Sequence, residues 1–203
     1  MKAISSAITF IFLMGCHPAL FKKNQHPFTE TEDVLINAGN VDGPMRVCKI
    51  TNREDSLLLR TPSQWLRVDP DDEVLHTFVQ RLYQTVTDSI SMGVGIAAPQ
   101  VGILKRIIWV QRFDKENLPF EVYLNPRIKK YSKETQVCRE GCLSIPNRSD
   151  TLNVRSKHIT IAYQKMDGSK HEESIEGFTA VIFQHEIDHL DGILYLDHLK
   201  AGN

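Results

Sequence analysis

A motif near the end of the chain, His185-Glu186-x-x-His189, constrains the fold more than any other feature. Residues four apart lie on one face of an α-helix about one turn from each other, so both imidazoles can hold one metal ion. The glutamate between them lies at the same rim, within reach of a proton of metal-bound water. Apolar residues at helical spacing precede the motif, and Gly192 is placed to end the helix. The same motif also occurs on solvated helices that bind nothing, so a third ligand decides its meaning.

The third ligand is expected upstream of this motif. Metalloproteases that carry the motif usually take their third ligand from further along the chain, but only fourteen residues follow His189. Tyr195 stands where one class of these proteases has a third histidine. The four cysteines are at positions 16, 48, 138 and 142, and the Gly-Cys-Leu setting of Cys142 suits a ligand better than a disulfide.

The composition is that of a neutral globular protein. With 203 residues, one domain of ordinary size with a proper core is expected. The formal net charge is −1, and charged residues make up 24% of the chain. Without a basic excess, recognition of specific nucleic-acid sequences is not expected.

The first 44 residues divide into two segments. In residues 1–16 an apolar run too short to span a bilayer ends in Leu13-Met14-Gly15-Cys16, which resembles a bacterial lipoprotein signal with Cys16 as a lipid anchor. The alternatives are an apolar extension, or a stretch upstream of the start codon that the cell uses. Residues 17–44 are polar and contain proline and glycine, which predicts a linker. The folded domain is therefore expected over residues 45–203.

Local patterns predict the main elements of that domain. A helix is expected to start at Asp69-Pro70, with Asp69 as its N-cap, and to end at Gly93; its apolar stripe runs from Val74 to Ile90. Two β-rich runs, 106–111 and 121–124, are followed by a basic stretch, 127–133, that we expect to be a solvated strand or turn. Residues 157–164 and 170–176 form a predicted hairpin around Asp167-Gly168. Helix, antiparallel strands and then the metal helix predict an α+β fold.

Three segments resemble the peptide deformylase family when taken together. They are Gly93–Gln100 (a thin, glycine-containing loop beside a ligand), Glu140–Ser144 and Gln184–Gly192. The family carries Gly-x-Gly-x-Ala-Ala-x-Gln, Glu-Gly-Cys-Leu-Ser and Gln-His-Glu-x-Asp-His in this order, and the chain matches all three. The likeness covers about residues 45–203. It implies an α+β fold with antiparallel sheets packed around a central metal-binding helix.

The resemblance implies removal of the formyl group from the N-terminal formylmethionine of new proteins, with release of formate. Cys142, His185 and His189 would hold one divalent ion, which in the family is natively ferrous iron with zinc, nickel or cobalt as substitutes. Metal-bound water would attack the formyl carbon, with Glu186 as general base and then acid. The side-chain amide of Gln100 and the backbone N–H of Leu143 would stabilise the oxyanion.

The resemblance also implies a substrate pocket beside the metal helix, with the formylmethionyl peptide as its ligand. The residues assigned to it are Gly93, Val94, Gly95, Cys138, Glu140, Gly141, Phe178, Val181 and Ile182. Glu140 would also pair with Arg155 to fix the Cys142 loop, and Gln184 would brace the start of the metal helix.

Two other functions and two locations stay open at this point. A zinc peptidase would use the same motif, and a lipid-anchored, non-catalytic homologue would keep the metal site alone. The resemblance implies the cytoplasm, where formylated chains leave the ribosome, whereas Cys16 implies the cell envelope. A ferrous–thiolate site survives better in a reducing compartment, which favours the cytoplasm. Synthesis that starts at Met45 would reconcile the two.

Overall fold

The computed structural model describes residues 27–89 and 93–201. These residues contain five α-helices and seven β-strands. The helices are α1 (Glu30–Asn37), α2 (Arg53–Leu59), α3 (Glu73–Thr87), α4 (Gly177–Leu190) and α5 (Tyr195–Ala201). The strands are β1 (Gly95–Ala97), β2 (Ile107–Gln111), β3 (Phe120–Tyr131), β4 (Thr135–Cys142), β5 (Ile145–Ser156), β6 (His158–Gln164) and β7 (Lys170–Glu176), and a short 3-10 helix (Ala98–Val101) follows β1.

The strands form two antiparallel sheets, and α4 contacts both of them. One sheet has five strands in the order β1-β2-β3-β6-β7, and the other is the β4–β5 hairpin. Helix α4 is buried nearly all round, as a helix enclosed by other elements must be. Its apolar residues share a core with side chains of β2, β3, β6 and β7. The predicted α+β class, with antiparallel sheets around a central helix, is confirmed.

The local predictions hold with shifted boundaries. The hairpin of β6 and β7 pairs in register from His158 with Glu176 to Gln164 with Lys170, as predicted. The basic stretch extends β3 as a largely exposed strand. Helix α3 begins later than predicted: Asp72 caps it by accepting from the Leu75 N–H at 2.7 Å, whereas Asp69 accepts from Asp71 in the preceding turn. The helix ends at Thr87 rather than at Gly93, and Ile90 lies outside the described residues.

The predicted linker is wrong over residues 27–44, where helix α1 folds onto the domain. Thr29 and Glu32 form a reciprocal capping box at its start. Ile36 is fully buried and Phe28 is 5% exposed, and both belong to the same apolar core as Met45. The folded domain therefore begins upstream of Met45. The predicted signal segment with Cys16, and residues 17–26, lie outside the described residues.

The carbonyls of this segment explain a buried charge on α3. The Arg81 guanidinium is 5% exposed and donates to the carbonyl oxygens of Ile36, Ala38 and Gly43. These acceptors satisfy donors that would otherwise be costly to bury.

None of the helices within residues 27–89 and 93–201 combines the length and apolar character that crossing a bilayer requires.

Candidate metal centre and substrate cavity

Helix α4 and the end of β4 bring together three side chains of the types that bind metals. His185 and His189 are one turn apart on α4, and both are buried, at 9% and 2% exposed. Cys142 ends β4 and lies beside them, with its Sγ 3.2 Å from His189 Nε2. One ligand atom from each of the three residues lies within 4.8 Å of the others. This spacing suits three ligands of one ion.

The chain turns sharply just after α4, which fixes the direction in which the helix leaves the site. Gly192 has φ +74°, in the left-handed region that glycine adopts without strain. A Cβ at this position would lie 2.5 Å from the Arg60 carbonyl oxygen, closer than any real contact allows. The expected role of Gly192 at the helix end is therefore also a packing requirement.

A network of buried charges holds His185 in place. His185 Nδ1 lies 2.8 Å from Glu140, which leaves its Nε2 for a metal. Glu140 is 5% exposed and accepts two hydrogen bonds from Arg155, at 2.8 and 2.9 Å, as the sequence predicted. Burial raises the pKa of Glu140, but the bonds from His185 and Arg155 outweigh it and lower the pKa to about 2. Arg155 also donates to Asp188, which contacts His198 at 2.8 Å. No sequence pattern predicted the contacts of Arg155 with Asp188 or of Asp188 with His198.

The sulfur of Cys142 lies in an environment that favours the thiolate. Burial alone would raise the pKa of the thiol, but the neighbouring imidazoles of His189 and His185 hold it well below its usual value. A thiolate with two imidazoles suits zinc or iron, and three protein ligands leave a further position open, as in catalytic sites. The residues present therefore fit a divalent metal ion.

Glu186 is buried against the glycine loop, at the inner end of the cavity. Its side chain is 4% exposed, and burial raises the pKa of its carboxyl to about 7 against the opposing effect of the two histidines. A Cβ on Gly95 would lie 2.5 Å from Glu186 Oε1 and 2.8 Å from Ile182 Cγ2. Glycine at position 95 is therefore the residue that lets the backbone of β1 approach this carboxyl.

Gln100 is held with its amide nitrogen toward the metal centre. Its Oε1 accepts from the Ala97 N–H at 2.9 Å, which fixes the orientation of the amide. Its Nε2 then lies 3.6 Å from Cys142 Sγ and 3.3 Å from Ser144 Oγ. Gln184, in contrast, bonds both backbone groups of Ser156 at 2.9 Å and so joins α4 to β5.

A cavity of about 670 Å³ opens beside these residues. Its lining includes most of the side chains assigned from the sequence: Gly93, Val94, Gly95, Gln100, Glu140, Gly141, Cys142, Leu143, Phe178, Val181, Ile182, His185 and Glu186. Cys138 is not among the lining residues, so its assignment to the pocket stays a prediction. The Cys138 sulfur contacts the Arg139 carbonyl at 3.6 Å.

One wall of this cavity was not predicted from the sequence. It consists of Arg139 on β4 and the first five residues of β5: Ile145, Pro146, Asn147, Arg148 and Ser149. The signal that could have indicated this wall is the short connection after Cys142, because a tight antiparallel return places the following residues directly opposite β4.

Most of the chain is similar in sequence to known proteins of one family. The family model for polypeptide deformylase matches residues 47–203. The peptide deformylase of Thermotoga neapolitana is 42% identical over 131 residues, covering 64% of this chain and 76% of that protein. That of Rhizorhabdus wittichii is 36% identical over 155 residues, covering 71% of this chain and 86% of that protein.

The fold is also similar to solved structures of the same family. The Met-Ala-Ser-bound peptide deformylase of Acinetobacter baumannii superposes with a TM-score of 0.69 at 32% identity, covering 77% of this chain and 99% of that one. The Thermotoga maritima peptide deformylase gives a TM-score of 0.67 at 34% identity, covering 76% of this chain and 97% of that one.

Proposed function

Because this chain belongs to the polypeptide deformylase family, we propose that the residues gathered around α4 carry out the reaction of that family. The reaction is hydrolysis of the N-formyl group at the start of new polypeptides. The C–N bond of the formamide breaks, hydroxyl from water joins the formyl carbon, and a proton goes to the amine. The products are formate and a free N-terminus. The family match favours this hydrolysis over the cleavage of internal peptide bonds by a zinc peptidase.

Cys142, His185 and His189 would hold a divalent ion in this reaction. When bound, such an ion supplies Lewis-acid chemistry: it acidifies water and polarises the formyl carbonyl. Cys142 contributes the anionic ligand, and Glu140 and Arg155 keep His185 in the orientation that directs Nε2 into the site. We propose iron as the native metal and zinc, nickel or cobalt as replacements, which elemental analysis of anaerobically purified protein would test.

Glu186 is our candidate for the proton carrier. Its carboxyl is buried at the inner end of the cavity, next to His185 in the chain and beside Gly95 in space. From this position it would take the proton of the attacking water and give it to the leaving nitrogen. Glycine at position 95 leaves this carboxyl room beside β1, because a Cβ there would lie 2.5 Å from Glu186 Oε1.

Gln100 and Leu143 are our candidates for stabilising the oxyanion. Gln100 Nε2 points toward Cys142 because its carbonyl end is already bonded to Ala97. The backbone N–H of Leu143 directly follows the cysteine. Two fixed donors near the reacting carbon stabilise negative charge that develops on the formyl oxygen. Phe178, Val181 and Ile182 form an apolar wall for the methionine side chain of the substrate.

The observation that carries the proposal is the meeting of Cys142, His185 and His189 at the end of a cavity that also contains Glu186 and Gln100. The test is release of formate from formyl-Met-Ala-Ser by anaerobic protein loaded with ferrous iron. An acetylated peptide of the same sequence is the control. We expect formate in amounts equal to new amino groups, and no acetate. Absence of formate from metal-loaded, folded protein would refute the proposal.

For location we propose the cytoplasm, where formylated chains leave the ribosome, and the ribosome as the place where substrate is met. A chain that starts at Met45 would lack Phe28 and Ile36, which the core contains, so we do not propose that start. Cell fractionation with mass spectrometry of the mature N-terminus tests the location. A lipid-modified Cys16 peptide in the membrane fraction would overturn it.

A further inference from the structure

An uncompensated positive charge lies at the mouth of the cavity. Arg139 lines the cavity and is exposed, and its Nε donates to Ser149 Oγ at 2.8 Å. Within residues 27–89 and 93–201, no carboxylate lies within ion-pair distance of its guanidinium. The hydroxyl of Ser149 fixes the side chain across the β4–β5 hairpin without neutralising it.

The other charges that line the cavity are already satisfied or buried. Arg148 pairs with Asp150 at 2.8 Å, so its charge is largely offset. Glu140 is paired with Arg155, and Glu186 is buried deep in the cavity. On another part of the lining, Phe178 is 44% exposed and adds apolar surface rather than charge. The free charge that a bound peptide meets is therefore the positive charge of Arg139.

The distance of Arg139 from Cys142 indicates which substrate residues its side chain can reach. It precedes the metal ligand Cys142 by three residues on β4, a separation of about 10 Å along an extended strand. An extended peptide whose formyl group lies at the metal centre covers the same length in about three residues. The side chains within reach are those of the second and third residues of the substrate.

We propose that Arg139 selects substrates with an acidic side chain at the second or third residue. This inference rests on the proposed function, and it concerns which formylated chains are processed fastest. An exposed ion pair favours binding by about 1.4- to 5-fold. A basic side chain at the same place is disfavoured to a similar extent, so kcat/KM for the acidic peptide exceeds that for the basic one by about 2- to 30-fold.

The test compares matched peptides whose C-terminus is an amide, so that the side chain provides the only difference in charge. Formate release is measured from formyl-Met-Ala-Glu-Ser-amide and its Lys counterpart, and from formyl-Met-Glu-Ala-Ser-amide and its Lys counterpart. We expect the Glu peptide to be preferred in at least one pair. Raising the salt to about 1 M, where screening acts within about 3 Å, should bring that ratio close to one.

Two variants assign the preference to Arg139. Arg139→Glu should invert the ratio, and Arg139→Gln should bring it close to one. The matched control is Lys133→Glu, which makes the same change in net charge at an exposed residue outside the cavity lining and should leave the ratio as it is. Circular dichroism verifies that the variants are folded.

The outcomes separate this inference from the proposed function. A ratio near one in the native protein, or a ratio that Arg139→Glu and Lys133→Glu change equally, overturns the inference while formate release still supports the function. If neither the charged peptides nor formyl-Met-Ala-Ser releases formate, the proposed function fails, and the role of Arg139 fails with it.

Discussion

The substitution Ile36→Ala measures how firmly helix α1 belongs to the folded domain. The Ile36 side chain is fully buried in the core that also contains Phe28 and Met45. Replacing a buried isoleucine by alanine costs about 2–5 kcal/mol, because transfer free energy is lost and a cavity remains. If α1 detaches instead, the loss is limited to the free energy with which the helix docks. Either way the whole-domain stability falls.

The assay is urea and thermal unfolding of the native protein and two variants. A loss of about 2–5 kcal/mol corresponds to a decrease in Tm of about 4–20 °C for a domain of this size. The control is Val34→Ala, two residues earlier on the same helix, where the side chain is 72% exposed. We expect this control to stay within about 0.5 kcal/mol of the native protein. Equal, small effects of both substitutions would refute the packing of α1 against the core and would support the predicted linker instead.

Three further predictions concern the site and the acid limit of stability. Glu186→Gln should retain the metal and lose about 10²- to 10⁴-fold in kcat, because the proton carrier is gone; metal analysis beside formate assays tests this, and near-normal turnover would exclude the role. Gln100→Leu should lower kcat by about 10²- to 10³-fold at unchanged metal content, and a variant that loses metal but turns over normally after refilling would contradict it. Hydrogen bonds from Arg46 are the main cause that lowers the pKa of Asp55 from 3.8 to about 2, so the stability that its charge contributes is complete above pH 4 and is lost as the pH falls toward 2. Urea unfolding should show the native protein and Asp55→Asn converging over that range, and a constant difference between them would count against this ion pair.

Elements with strong local signals could be predicted from the sequence. The spacing of His185 and His189 and the position of Gly192 gave the metal helix, and Asp167-Gly168 gave the β6–β7 hairpin. The start of α3 was wrong by a few residues because Asp69 and Asp72 are both good N-caps, and only the structure shows which one bonds the helix.

Elements that depend on tertiary contacts could not be predicted in the same way. Helix α1 is short and lies in a polar segment, so its few buried side chains do not produce a periodic pattern. Its capping box, Thr29 with Glu32, was the local signal that was overlooked. Arg112 is another case: it is 1% exposed and bonds Asp114 and Glu173, a partner 61 residues away.

The residue types of the candidate metal site could be predicted from the sequence, but the walls of the cavity could be predicted only in part. The convergence of Cys142 with the two histidines depended on the family resemblance, because nothing local relates β4 to α4. The cavity wall formed by Arg139 and by the start of β5 comes from strand pairing across the hairpin. Cys138, which the family resemblance places in the pocket, is not among the lining residues.

The most direct test is whether metal binding and formate release require Cys142. Cys142→Ala removes the anionic ligand of the proposed site, while Cys138→Ala removes a thiol from the same strand outside the cavity lining. Both variants are loaded anaerobically with ferrous iron and dialysed, and then metal content and formate release are measured on the same samples. The account predicts that Cys142→Ala loses most of its metal and its formate release, whereas Cys138→Ala keeps both. A Cys142→Ala protein that retains one metal ion per chain and releases formate at the native rate would contradict it.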